Sequence, residues 1–378
     1  MDPRTPARTT RAALAAAAVA AIALGLGACS SGSDAGTASG SSTPGAGTGS
    51  AISAERCAEN EAAGPITFLT GYNYQASASI LEVIAADELG YFDDLCLDVT
   101  IQPGTGDTGL SNQLLAAGQV QFAAVSQQDV ITAQDNGVDV KGISSYSDAG
   151  LEILMTETSV KDLKELDGTI LGQKGNLPVT VEAMLAEAGA DVASIQQVTV
   201  GYDPSVLPRG QVNSLTGFIS NEPALLEAAG DEVTVWRPYD YDVPGSLGAL
   251  AVNPAFADEN PTAVEDFLRG SFHAFEYCAD EANSAECVDF AATLAGDTYD
   301  AAHNAQVWAT EVGVIDETKT AGTALGTIDL ANVDAIAELL NEYDILSAPL
   351  DAADAESYFD PSFVEAISDG DQIVWPAP

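Results

Sequence analysis

The sequence predicts an α/β chain folded into two lobes with a ligand cleft between them. Three observations carry this prediction. Strand-like and helix-like segments alternate from Pro65 onward, the alternation restarts after the polar segment 159–167, and an apolar stretch near Leu247 offers a way back to the first lobe. Alternation of this kind makes a mostly parallel sheet flanked by helices.

Each element follows from its local pattern. Arg4, Arg8 and Arg11 precede an apolar, Ala-rich run over 13–26, and Leu26-Gly27-Ala28-Cys29 has the form of a lipobox. That is the layout of a secretory signal. The run is shorter than the roughly 20 residues needed to cross a bilayer. Cleavage before Cys29 is therefore expected, with 1–28 as signal peptide; a cleaved signal with an incidental cysteine is the alternative. Lipidation of Cys29 would anchor the chain outside the cytoplasm, on the outer face of the cell membrane. Residues 30–54 are almost wholly Ser, Gly, Ala and Thr, which makes a flexible tether, and the anchor with its linker is assigned to 29–63.

Residues 66–70 read as a strand, 79–89 as a helix from the spacing of Ile80, Val83 and Ile84, and 97–102 as a strand. Helix 110–117, strand 121–126, helix 129–136 before Gly137, and strand 140–145 follow. Strand 151–156 is read as the last of the first lobe, and 159–167 as the crossing. The second lobe repeats the pattern: strands at 169–171, 197–200, 215–219 and 233–236, with helices at 179–188, near 205–211 and at 223–229. From Pro261 helices dominate, the clearest at 263–277, 287–294 and 333–343. Lobe 1 is thus assigned 64–156 plus 248–378, and lobe 2 157–247. Ligands of open parallel sheets bind outside the carboxyl ends of the strands, so the site is expected on the loops that follow them.

Charge narrows the partners. Removing 1–28 takes away three Arg and Asp2, leaving 9 basic against 56 acidic residues and a net charge of −47. Such a surface repels nucleic acid. Once Cys29 is lipidated, Cys57, Cys96, Cys278 and Cys287 remain, an even number that points to disulfides in an exported chain. Three pairings exist, and locality favours Cys57 with Cys96 and Cys278 with Cys287. A metal site has no CxxC or HxxxH spacing behind it, and no cofactor is expected.

Gly104-Thr105-Gly106-Asp107-Thr108-Gly109 fits GxGxxG, yet it follows the second strand rather than the first, which argues against a dinucleotide fold. A glycine turn offering helix amides to a ligand is the other reading. There is no GxSxG, and the only histidines, His273 and His303, come late in the chain, so a catalytic triad has little support. The most specific stretch is 201–223, ending Ser220-Asn221-Glu222-Pro223 between a strand and a helix, where Asn221 would cap and Pro223 would occupy the first turn.

These residues carry a resemblance. Glu88-Leu89-Gly90-Tyr91-Phe92 with Leu97-Asp98-Val99, the run LLAAGQVQFAAV over 114–125, and the 201–223 segment are similar to solute-binding lipoproteins of ABC importers, in the branch covering thiamine-pyrimidine precursors, riboflavin, nitrate, sulfonates and taurine. The resemblance implies a type II periplasmic-binding-protein-like fold, no enzymatic activity, a small-molecule ligand, a membrane permease as partner, and a monomer. Mapped onto this chain, it implies ligand contacts from Asn73 and Tyr74, Ser126 and Gln127, Gln173 to Asn176, and Asn221 and Glu222. Tyr239 and Tyr241 are candidates to wall the cleft. Asn73 stands where the family has an acid. Lys174 and Arg209 are the only cations near these loops, so a flat, neutral heterocycle is preferred. A sulfonate, taurine or nitrate is the alternative, and a tethered hydrolase the remaining one.

Overall fold

The structure, a computed structural model, describes residues 52–297 and 299–378. The signal peptide, Cys29 and the tether up to residue 51 lie outside the described residues. Among those described, no helix is long and apolar enough to cross a membrane.

The strands are β1 (Ile66–Leu69), β2 (Tyr72–Asn73), β3 (Val99–Gln102), β4 (Gly104–Thr105), β5 (Phe122–Val125), β6 (Lys141–Ser144), β7 (Glu152–Glu157), β8 (Ile170–Gln173), β9 (Gln196–Thr199), β10 (Ser214–Phe218), β11 (Val233–Trp236) and β12 (Ala249–Val252). The main helices are α1 (Ala54–Ala62), α2 (Leu81–Glu88), α3 (Tyr91–Asp94), α4 (Thr108–Ala116), α5 (Gln127–Asp135), α6 (Val179–Glu187), α7 (Glu222–Ala229), α8 (Pro254–Glu259), α9 (Pro261–Ala279), α10 (Ser284–Ala295), α11 (Ala301–Thr318) and α12 (Leu330–Glu342).

Two five-stranded sheets result, ordered β3-β1-β5-β12-β6 in lobe 1 and β11-β7-β10-β8-β9 in lobe 2. Both are mixed rather than mostly parallel. In lobe 1, β12 runs antiparallel to β5 and β6; in lobe 2, β7 runs antiparallel to β10 and β11. The cause is topological. Each of these two strands is the first one entered after the chain crosses between lobes. It enters at the edge where the preceding lobe's strands end, so it runs against its neighbours.

Strand β7 therefore belongs to lobe 2, correcting its assignment to lobe 1. The crossing lies at 145–151, while 159–167 is an internal connection of lobe 2 with a short helical turn, Leu163–Leu166, capped by Asp162. An apolar run buried on both faces carries no periodicity that names its sheet. The folded body also begins inside the segment assigned to the linker. Ser53 caps α1, Arg56 pairs with Glu265 and Asp266 of α9, and Asn60 donates to the Leu95 carbonyl at 2.8 Å.

Adjacent strand residues face opposite sides, as the pleat requires. Phe68, Phe122 and Ala124 join one core layer of lobe 1 with Phe267, while Leu69, Ala123 and Val125 join the other. The Phe122 and Phe267 rings stack 4.0 Å apart at 9°. In lobe 2, Leu154 faces α6 while Ile153 and Met155 face Leu215 and Leu226. The C-terminal helices are not confined to lobe 1: Val333, Ile336 and Leu340 fill its core, but Leu339 and Tyr343 pack into the core of lobe 2. The disulfides are Cys57–Cys96 and Cys278–Cys287, the pairings that locality favours.

The glycine motif builds a turn. Gly104 lies in β4, paired with Asn73 of β2, and a Cβ on it would stand 1.9 Å from the Thr70 carbonyl oxygen. Asp107 accepts from Leu110 N at 3.0 Å and so occupies the start of α4 itself. That contact turns the helix amides to the protein's own carboxylate. Gly104→Ala should cost about 2 kcal/mol by overpacking, read as a lowered urea midpoint at unchanged slope.

Candidate functional site

Topology positions the site. Crossover 145–151 runs from the carboxyl end of β6 to the start of β7, and crossover 237–248 from the carboxyl end of β11 to the start of β12. Both join the edges where the parallel strands end, so those edges face each other across the crossovers. The two crossover segments also pair with each other: Tyr146 N donates to Leu247 O at 2.9 Å, and Leu247 N to Ser147 O at 3.2 Å.

On the lobe 1 side, Asn73 is exposed with φ 45°, and its carbonyl accepts from Thr70 Oγ1. Tyr74 is half-buried against the lobe 1 core. Tyr72, which sequence reasoning passed over, is 52% exposed. Ser126 caps α5 in a capping box with Asp129, whose other oxygen accepts from Thr108 Oγ1 at 2.6 Å. Gln127 is buried. Its amide N donates to Ser246 Oγ in the second crossover at 2.9 Å, and its Oε1 accepts from Asn332 at 3.1 Å. Its Nε2 has no partner among the described residues.

On the lobe 2 side, Glu222 opens α7 and is buried. It forms an ion pair with Lys174 and accepts from Phe218 N at 2.7 Å. Asn221 makes no capping bond; its Oδ1 instead lies 2.8 Å from His303 Nε2 of α11. The predicted capping role of Asn221 is thus corrected, because the Glu222 carboxylate reaches back to the preceding chain. Pro223 sits in the first turn as expected. Gln173 is buried, its Oε1 without a partner among the described residues, and Asn176 is exposed. Arg209 is exposed and pairs with Asp203 at 3.3 Å. Tyr241 packs against the lobe 2 core beside α6, and Tyr239 carries Arg237 at 5.7 Å from its ring centroid.

Three acids at this junction were not singled out from sequence. Glu311 of α11 is buried and holds both lobes, accepting from Ser77 Oγ at 2.7 Å, Ala78 N at 2.8 Å and Ser220 Oγ at 2.8 Å. Burial raises its pKa. Glu82 of α2 is buried and accepts from Tyr146 Oη of the first crossover at 2.5 Å; burial pushes its pKa up to about 7. Glu152 opens β7, and desolvation, followed by repulsion from Asp129, raises its pKa. Among 57 acids in the chain, no local signal separates these three.

A family model described as NMT1/THI5 like matches residues 77–285. Among solved structures, the chain is similar to a putative sulfonate ABC transporter's periplasmic sulfonate-binding protein SsuA from Methylobacillus flagellatus KT, at 14% identity and TM-score 0.60, covering 80% of this chain and 92% of that one. It is similar to the periplasmic nitrate-binding protein NrtA from Synechocystis PCC 6803, at 13% identity and TM-score 0.54, covering 80% and 87%. It is also similar to the desulfurization enzyme DSZB, at 11% identity and TM-score 0.55, covering 79% and 98%. At these identities the likeness carries the fold: two α/β lobes of the type II periplasmic-binding-protein kind. No curated protein sequence matches the chain.

Proposed function

The chain belongs to the NMT1/THI5-like family, and from that premise we propose that it is the extracytoplasmic solute-binding component of an ABC importer. Anchored through a lipid on Cys29, it captures a small flat heterocycle by closing its lobes and hands it to a membrane permease. The observation that carries this reading is the pair of facing strand edges joined by two crossovers. Two bodies linked by two short segments close like jaws, and a ligand touching both favours the closed form.

The polar groups support a heterocycle over an anion. Lys174 is already engaged by Glu222 and Arg209 by Asp203, so neither is a free cation for a sulfonate or nitrate. Binding rather than turnover is supported by His303, whose Nε2 is turned to Asn221 Oδ1 instead of to a nucleophile. The structural likeness to SsuA and NrtA keeps a sulfonate or nitrate as the second reading.

Denaturing mass spectrometry of small molecules released from freshly purified protein is the direct test. A pyrimidine-like or flavin-like compound is the expected result. Taurine, an alkanesulfonate or nitrate would overturn the choice of ligand.

A further inference from the structure

Lys174 stands at the strand ends of lobe 2 with its charge already cancelled. The carboxyl ends of β10, β8 and β9 lie side by side, and Lys174 follows the middle strand, β8. Its Nζ forms an ion pair with Glu222 and has no other hydrogen-bond partner among the described residues. An ammonium carries three N–H donors, so donors remain for a solute. Glu222 is 1% exposed, and its place is fixed. Its second oxygen accepts from Phe218 N at 2.7 Å and lies over the bare backbone of Gly217, where a Cβ would stand 2.7 Å from Oε2.

The surroundings of the ammonium are open. Tyr202, in the turn after β9, is 85% exposed, and Lys174 Nζ lies 5.7 Å from the centroid of its ring. A Cβ on Gly175 or on Gly201 would meet nothing within 4 Å. The two turns that carry Lys174 and Tyr202 therefore border free space rather than packed chain. A bare ring and an ammonium with free N–H groups thus stand next to each other, over a buried carboxylate.

We propose that Glu222 sets the charge of the solute: by neutralising Lys174 it leaves a place for an uncharged flat ring, stacked on Tyr202 and accepting from Lys174 through a ring nitrogen or carbonyl oxygen, and it turns anions away. The inference rests on the solute-capture reading and names the residues that select its ligand class. A neutral acceptor takes a free N–H of Lys174 without disturbing the ion pair. An anion is repelled by the carboxylate behind the ammonium that attracts it. Drawing Lys174 away would also leave Glu222 a buried charge without a partner, a costly state. Stacking on Tyr202 is open to either kind of ring, so the selection lies in the pair. Glu222 therefore acts through Lys174 and not by touching the solute, the contact that the resemblance implies for it.

The test uses two bicyclic probes of similar shape, the neutral diazine quinoxaline and the anion 2-naphthalenesulfonate, each titrated calorimetrically into the chain at neutral pH. The parent should bind quinoxaline about tenfold or more tightly than the sulfonate. Glu222→Gln keeps an oxygen for Phe218 N and frees the ammonium. It should bind the sulfonate about tenfold more tightly than the parent does, the scale of one favourable charge contact, with quinoxaline changed less than about threefold. Adding Lys174→Met to Glu222→Gln should abolish that gain and weaken quinoxaline. Tyr202→Ala should weaken the binding of quinoxaline about tenfold. Circular dichroism checks that each variant folds; the parent's preference and Tyr202→Ala, at a side chain in solvent, decide the matter even where Glu222→Gln does not. Preference of the parent for the sulfonate, no gain in a folded Glu222→Gln, a gain that survives Lys174→Met, or an unchanged Tyr202→Ala would each overturn the inference while leaving solute capture standing. Failure of both probes in every form would overturn it as well, and the release of small molecules from the purified chain then decides separately whether solute capture stands.

Discussion

Glu311→Ala is expected to lower the stability of the chain by about 4 kcal/mol, the scale for stripping a buried charged acceptor from several donors at once. Its two oxygens serve Ser77 Oγ, Ala78 N and Ser220 Oγ, so the substitution leaves three donors at the junction of the lobes without an acceptor. Glu311→Gln keeps one acceptor oxygen and should lose roughly half as much. Urea denaturation measures the stability. Small-angle scattering reads the second consequence, a wider spread of lobe separations, because Ser220 belongs to lobe 2 and the 77–78 loop to lobe 1. A variant as stable and as compact as the parent would remove Glu311 from its role as a tie.

Stability should also fall as pH rises through neutrality, and Glu82 should be the principal cause. Its folded pKa is raised by burial to about 7, while an exposed glutamate in the unfolded chain titrates near 4.3. The folded state therefore holds its proton more tightly. The contribution to stability is full below the unfolded value, declines as pH climbs from about 4.5 towards 7, and is lost above it. The loss amounts to about 3 kcal/mol between pH 4.5 and pH 8. Glu82→Gln keeps an acceptor for the Tyr146 hydroxyl and has nothing to deprotonate, so it should flatten this slope and unfold later than the parent at pH 8. Parallel pH profiles of melting temperature for parent and variant would show the slope to have another source.

Much of the fold was legible because its signals are local. The helix after Pro223 follows from residue types a few positions apart. The lobe of β7 was not legible, since Glu152–Glu157 is apolar enough to suit either sheet and only pairing with β10 and β11 decides it. The loops that follow strands were read as the site, and the structure buries Glu222 and Gln127 there while leaving Tyr72 and Phe218 exposed beside them. Glu311 lies in α11, a helix without a strong apolar stripe, and its importance arises from residues 91 and 234 positions away. Glu152 was hidden by composition: in a chain this acidic, a desolvated carboxylate stands out only when its neighbours in space are known.

The attachment of α1 has a mechanical meaning. This helix is bolted to lobe 1 twice, by Cys57–Cys96 and by Arg56 gripping Asp266 of α9. On the anchored reading proposed above, tension on the chain ahead of α1 would be delivered into lobe 1 through this cross-linked support. Lobe 1 would then be the stator and lobe 2 the moving jaw. Thermal tugging on a surface-held chain would then swing the whole body about its mooring without prying the jaws apart, so the grip on a captured molecule is insulated from the leash that keeps the protein in place.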